Sequence, residues 1–88
     1  MLGVTKFALR GGYTVFVEFS DGHSGLIDFR AELEKDRREI IRELLDPAKF
    51  GTVKLRHRTL CWDNGVDFAP EYLSGLAAAP AAVQEKAA

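Results

Sequence analysis

Two turn signals, Gly11-Gly12 and Asp21-Gly22, bracket the most β-prone stretch of the chain, YTVFVEF at 13–19. Aromatic and β-branched side chains alternating with period two suit a pleated strand with one buried face. Paired glycines accept positive φ at little cost, and Asp-Gly is among the strongest short hairpin signals. The chain therefore has to begin as antiparallel hairpins, with strands at 4–9, 13–19 and 23–29. In the middle strand Tyr13, Val15, Val17 and Phe19 share one face, and Thr14, Phe16, Glu18 and Ser20 the other. The register of the third strand stays open. A two-residue turn puts Leu26 on the face of Val17, whereas apolar spacing groups Ile27 with Phe29, and a bulge at Gly25 would reconcile the two.

The pattern then changes. Arg30 to Leu45 contains neither Gly nor Pro and is rich in helix formers, with Leu33, Ile40, Ile41, Leu44 and Leu45 as a narrow apolar stripe. Every residue from Glu34 to Glu39 is charged, which fits either a solvated helix face or a break between two shorter helices. In one helix Glu34/Arg38 and Glu39/Arg42 would support each other and Arg38/Arg42 would oppose them. Asp46-Pro47 reads as an N-cap followed by proline at the first helical position, with a short turn ending at Gly51.

A second hairpin is expected from 52–56 and 59–63 around His57-Arg58. Closure there sets Leu55 opposite Leu60 and Val53 opposite Trp62, all four on one face. Asp63-Asn64-Gly65 makes a turn, 66–68 is extended, and Pro70 opens a last helix to about Leu76 with Tyr72, Leu73 and Leu76 as its apolar side. The alanine-rich remainder, 77–88, is expected to be a disordered tail. The fold class that follows is α+β: a small, mainly antiparallel sheet in two hairpin regions, helices packed on one face, and a single domain over 3–76. Phe16, left on the outer side of its strand, suggests a homodimer as one way to cover it.

Composition narrows the function classes. Twelve Lys and Arg against thirteen Asp and Glu give a net charge of −1, unlike a protein that wraps a polyanion. One cysteine supports neither a disulfide framework nor a multi-thiolate zinc site, so no structural metal or cofactor is expected and a cytoplasmic location is. No apolar run approaches the roughly 20 residues of a membrane span, and the first residues lack a signal-peptide pattern. No phosphate-binding glycine loop or nucleophile elbow is present. His23 and His57 read as polar turn residues, Cys61 as a small strand residue with Lys54 across from it, and Asp63-Asn64-Gly65-x-Asp67 as turn chemistry without the ligand set of a calcium loop. The most informative charge feature is the acid-free stretch from Pro47 to Trp62. If its strand stays regular through 58, Lys54, Arg56 and Arg58 line one face. Such a stripe is a solvated outer face, a surface for an acidic protein, or a phosphate-contacting ribbon.

Tyr13-x-Val15-x-Val17-x-Phe19-x-Asp21-Gly22, then Ile27-Asp28-Phe29, Leu45-Asp46-Pro47-x-x-Phe50, and Trp62-x-Asn64-Gly65-x-Asp67-x-x-Pro70-Glu71-x-Leu73 follow in order. This series resembles the small bacterial family catalogued as domain of unknown function 2442, over roughly residues 4–73. The resemblance implies a compact α+β domain with a strand-rich first part, and neither activity nor cofactor. Some members of that family continue into a helix-turn-helix domain, which an alanine-rich ending does not match. Members often stand beside a gene for another small protein, which implies an antitoxin-like or accessory role. The charged segment from Glu32 to Glu43 is longer here than the usual connection. The last motif has a fold-building reading of its own: Trp62 as core anchor, Asn64 and Gly65 as turn, Asp67 accepting N–H groups at the start of the last helix, and Pro70 in its first turn.

The function expected from these residues is a non-enzymatic module that binds a protein partner, with no membrane role. The alternatives are nucleic-acid binding through Lys54, Arg56 and Arg58, and an enzyme whose site is assembled from distant residues such as His57, Cys61 and Asp67.

Overall fold

The structure is a computed structural model and describes residues 1–78. Strands β1 (Val4–Leu9), β2 (Thr14–Phe19) and β3 (Ser24–Asp28) form an antiparallel sheet in that order. Loop length settles the register of β3. Phe19 donates its N–H to the His23 carbonyl at 2.9 Å, so the loop is Ser20-Asp21-Gly22 rather than Asp21-Gly22 alone. Gly22, at φ 96°, closes it. The extra residue shifts the parity of the strand. Val15 pairs with Ile27 and Phe16 with Leu26, unbroken from Thr14↔Asp28 to Glu18↔Ser24. The bulge considered at Gly25 is absent because the loop already supplies the offset. Ile27 and Phe29 are buried, and Leu26 is 45% exposed.

The charged stretch breaks. Helix α1 (Arg30–Lys35) ends where Asp36 turns extended (ψ 137°), and α2 (Glu39–Arg42) starts after an extended Arg38 (ψ 128°). The Asp36 carboxylate accepts the backbone N–H of Arg38 at 2.9 Å and two guanidinium N–H groups at 3.0 and 2.8 Å. Such a local side-chain partner competes with the helix. The Glu34/Arg38 pair of a continuous helix therefore does not form, and Glu34 meets Arg30 instead. A 3-10 turn (Glu43–Leu45) and α3 (Pro47–Phe50) follow, the latter capped by Asp46 as its sequence requires. Of the five-residue stripe, Leu33, Ile41 and Leu44 are buried, Leu45 is half-buried and Ile40 is 44% exposed.

Strands β4 (Lys54–Arg56) and β5 (Thr59–Cys61) form the second hairpin, with Leu55 opposite Leu60 as expected. Val53, Leu60 and Trp62 are buried, whereas Leu55, near the tip, is 40% exposed. Helix α4 (Pro70–Ala78) buries Leu73 and Ala77 and leaves Tyr72 exposed, so its inner face runs one position later than Tyr72-Leu73-Leu76 implied. The domain boundary expected at 76 thus falls inside this helix. The rest of the expected tail, 79–88, lies outside the described residues.

The described helices pack on the face of Val15, Val17, Phe19 and Ile27. Phe29 sits at the junction, its ring 5.8 Å from both Trp62 and Phe68 and 5.9 Å from Phe50. The Tyr13 hydroxyl donates to the Leu45 carbonyl and ties the sheet to the middle segment. Gly25 is where α4 comes closest to β3: a Cβ there would lie 2.9 Å from the Ala77 carbonyl oxygen. Among the described residues no helix is long and apolar enough to cross a membrane.

Candidate functional site

The hairpin β4–β5 turns on His57 and Arg58 alone, and a two-residue loop of this hand needs positive φ at both positions. Their values are 54° and 64°, unusual for side-chain-bearing residues. The strand therefore ends at Arg56, and Arg58 swings away from the basic face. Its guanidinium donates to the Met1 carbonyl at 3.3 Å and lies against Gly3, while its own carbonyl accepts the N–H of Val4 at 2.8 Å. Arg58 thus clamps the hairpin to β1. Lys54 stays on the stripe but is paired with Asp63 at 2.5 Å. Of the three cations expected to act together, Lys54 alone has an ion pair among the described residues, Arg58 is committed to a backbone carbonyl, and Arg56 is left on the strand face.

Cys61 is flanked by Lys54 through the β4–β5 pairing and by Asp67 through an antiparallel bridge. These residues, with Arg56, His57 and Asp63, line an open concavity of about 280 Å³. The structure thereby brings together His57, Cys61 and Asp67, the distant residues that the sequence offers for an assembled site. No hydrogen bond joins them among the described residues, so no base is aimed at the thiol.

The long C-terminal motif has the fold-building character expected of it, with one change. The buried Trp62 indole donates to the Phe50 carbonyl at 2.9 Å. Gly65, at φ 94°, completes the turn. The Asn64 amide reaches out of the turn, donating to the Ile40 carbonyl at 3.0 Å and the Glu43 carboxylate at 3.1 Å while accepting the Val66 N–H at 3.1 Å. Asn64 therefore docks the second hairpin onto α2, a role that Asn-Gly as turn chemistry did not reveal. Pro70 is the first residue of α4 as expected. Asp67 does not cap that helix: its backbone bridges to Cys61, and among the described residues its carboxylate accepts no N–H of α4.

A second cluster joins residues that no sequence motif connects. His23 Nδ1 lies 2.5 Å from Asp21 Oδ1, its Nε2 lies 2.9 Å from Ser74 Oγ, and its ring stacks on Phe19 at 4.6 Å. The Asp21 carboxyl is held below its ordinary value by the His23 backbone N–H, with the imidazole adding to the effect. The order Asp–His–Ser is that of a hydrolytic triad, but Ser74 lies within α4, whose N–H groups bond to the preceding turn. The relay joins the β2–β3 loop to the last helix.

The third feature is a groove of about 330 Å³ between α1 and α4. The Tyr72 hydroxyl donates to Glu32 there, and desolvation followed by that carboxylate pushes the phenol up to about 12. Asp36 lies at its rim, held down to about 2 by the Arg38 guanidinium. Among the described residues no group of His, Cys, Asp or Glu is placed to hold a metal ion.

The remaining surface is the outer face of the three-stranded sheet. Its middle row is apolar across all three strands: Ala8 beside Phe16 beside Leu26. The Arg10 guanidinium, 5.1 Å from the ring centroid, lies over the half-buried Phe16.

Fold and surfaces define a small α+β domain with its helices on one side of the sheet and, among the described residues, the other side open. The family model for "Protein of unknown function (DUF2442)" matches residues 4–78, and the chain belongs to that family. The match ends with α4. No curated protein and no solved structure matches the chain.

Proposed function

We propose that this chain is a non-enzymatic protein-interaction module that binds through the outer face of its three-stranded sheet. One observation carries the reading. Helices and second hairpin cover the opposite face, while an apolar row crosses the outer one with Leu26 45% exposed. A contiguous apolar patch on a sheet marks a contact surface more often than an isolated exposed leucine does. The role that suits a domain of this size is an accessory or antitoxin-like subunit, and an unbridged cysteine suits the reducing cytoplasm. The basic hairpin supports a nucleic-acid role less well, since Lys54 is neutralised by Asp63 and Arg58 is turned toward Met1.

The test is affinity capture at low and high salt with wild type, Leu26→Asp and Arg56→Glu, each checked for native circular dichroism. A protein retained at high salt by wild type and Arg56→Glu, and lost with Leu26→Asp, is the expected result. Capture indifferent to Leu26→Asp, or captured nucleic acid that Arg56→Glu removes, would overturn the reading.

A further inference from the structure

The outer face is neutral and patterned. Two charged rows flank the apolar one. Lys6 pairs with Glu18 on one side, and Thr14 pairs with Asp28 on the other, with Arg10 just beyond the end of β1. The two cations and two carboxylates cancel.

This pattern faces itself most favourably under one symmetry operation. A two-fold axis parallel to β2 lays β1 of one copy over β3 of another and keeps each row above its equivalent. Arg10, swung off its own Phe16 ring, then meets Asp28 of the second copy, and symmetry repeats the contact. Small Ala8 meets large Leu26, Lys6 meets Ser24, and Phe16 and Glu18 each meet their own equivalents on the axis, with a Lys6 beside each Glu18. An axis perpendicular to the strands instead sets Lys6 against Arg10 twice and brings no opposite charges together, whereas the parallel axis sets two opposite-charge contacts against the single Glu18–Glu18 contact. Either axis gives the nearly aligned sheet packing of β-sandwiches, at about 30°, so the charges make the choice. We infer that the outer face closes on a second copy of this chain, sheet to sheet, with reciprocal Arg10–Asp28 pairs fixing the orientation. The inference rests on the proposed binding role of this face and names its occupant. Three strands of five or six residues make a patch smaller than a standard stable interface, so the dimer is weak and reversible.

The test is sedimentation velocity over a concentration series, on the full chain. Wild type is expected to pass from monomer to dimer. Arg10→Glu and Asp28→Arg are each expected to weaken the dimer about tenfold or more. An equimolar mixture of the two is expected to restore it, because each reversed charge then meets an opposite one across the interface. Restoration on mixing also shows that both variants are folded. Leu26→Asp disrupts the same face without touching the Asp28 carboxylate, which accepts the Arg30 N–H at 3.0 Å. It is expected to be monomeric with native circular dichroism. A monomeric wild type, a dimer that tolerates Leu26→Asp, or a mixture that stays monomeric would each overturn the inference. A monomeric wild type whose captured protein is still lost with Leu26→Asp leaves the binding role standing and assigns the face to a different protein. A monomeric wild type whose capture ignores Leu26→Asp removes both.

Discussion

Replacing Gly25 with alanine places a methyl group in the tightest contact between α4 and the sheet. The new Cβ would lie 2.9 Å from the Ala77 carbonyl oxygen and 3.2 Å from the Ala77 Cβ. The nearer atom belongs to a helix backbone and cannot rotate aside, so α4 or β3 must shift. Overpacking of this kind costs about 1–3 kcal/mol. Gly25 carries no positive φ, so alanine also narrows the unfolded ensemble and gains about 0.4–1 kcal/mol. Because the obstacle is main chain, the clash wins, and a net loss of about 1–2 kcal/mol is expected. For a domain of this size that lowers Tm by about 4–16 °C. Thermal and urea unfolding followed by far-UV circular dichroism give the value. Ala77→Gly added to Gly25→Ala removes the 3.2 Å neighbour but leaves the oxygen, so it should not restore stability. Gly75→Ala is the control on the same helix: nothing lies within 4 Å of its Cβ, and a gain of about 0.5–1 kcal/mol is expected. A Gly25→Ala protein as stable as wild type would refute the close approach of α4 to β3.

Four further outcomes follow from the local chemistry. Asn64→Ala removes the bonds to Ile40 and Glu43 and should cost about 1–3 kcal/mol, with faster hydrogen exchange across 36–43 as its signature. His57→Gly relieves an L-residue held at φ 54° and should raise the urea midpoint by the equivalent of about 0.5–1 kcal/mol with an unchanged m-value. Two groups set the pH limits. Tyr72, raised to about 12, supports the fold fully below its ordinary 10.0 and loses that support as pH climbs to 12; absorbance at alkaline pH should show a late component that Tyr72→Phe removes. Asp36, lowered to about 2, contributes fully above 3.8 and loses its contribution as pH falls to 2, a dependence that Asp36→Asn should flatten in acid unfolding curves.

The strands were legible because each is signalled within a few residues: Gly11-Gly12, the alternation of β2, Asp46-Pro47 and the Leu55/Leu60 pairing all act locally. The register of β3 was not, because it depends on whether Ser20 belongs to the loop, a choice worth one residue of parity. The break at Asp36–Arg38 was one of two readings, decided by a carboxylate that captures the N–H and guanidinium two residues on. The basic stripe lost Arg58 to the sign of two backbone angles. His23–Ser74 and Asn64–Ile40 had no signal at all, since each joins residues brought near only by tertiary packing. The concavity around Cys61 was partly legible. Its Lys54 neighbour follows from hairpin register, whereas Asp67 enters only because the segment after Gly65 folds back beside β5. The open apolar row was visible in Phe16, whose parity excludes it from the core; its neighbours Ala8 and Leu26 became known only with the pairing.

The most direct measurement of where this protein binds is the amide spectrum of isotope-labelled chain, followed through dilution and again with any captured protein added. Binding at the outer face predicts shifts at Ala8, Phe16 and Leu26 and steady resonances at Arg56, His57 and Cys61. Shifts confined to the β4–β5 hairpin would contradict it and move the binding surface to the concavity around Cys61.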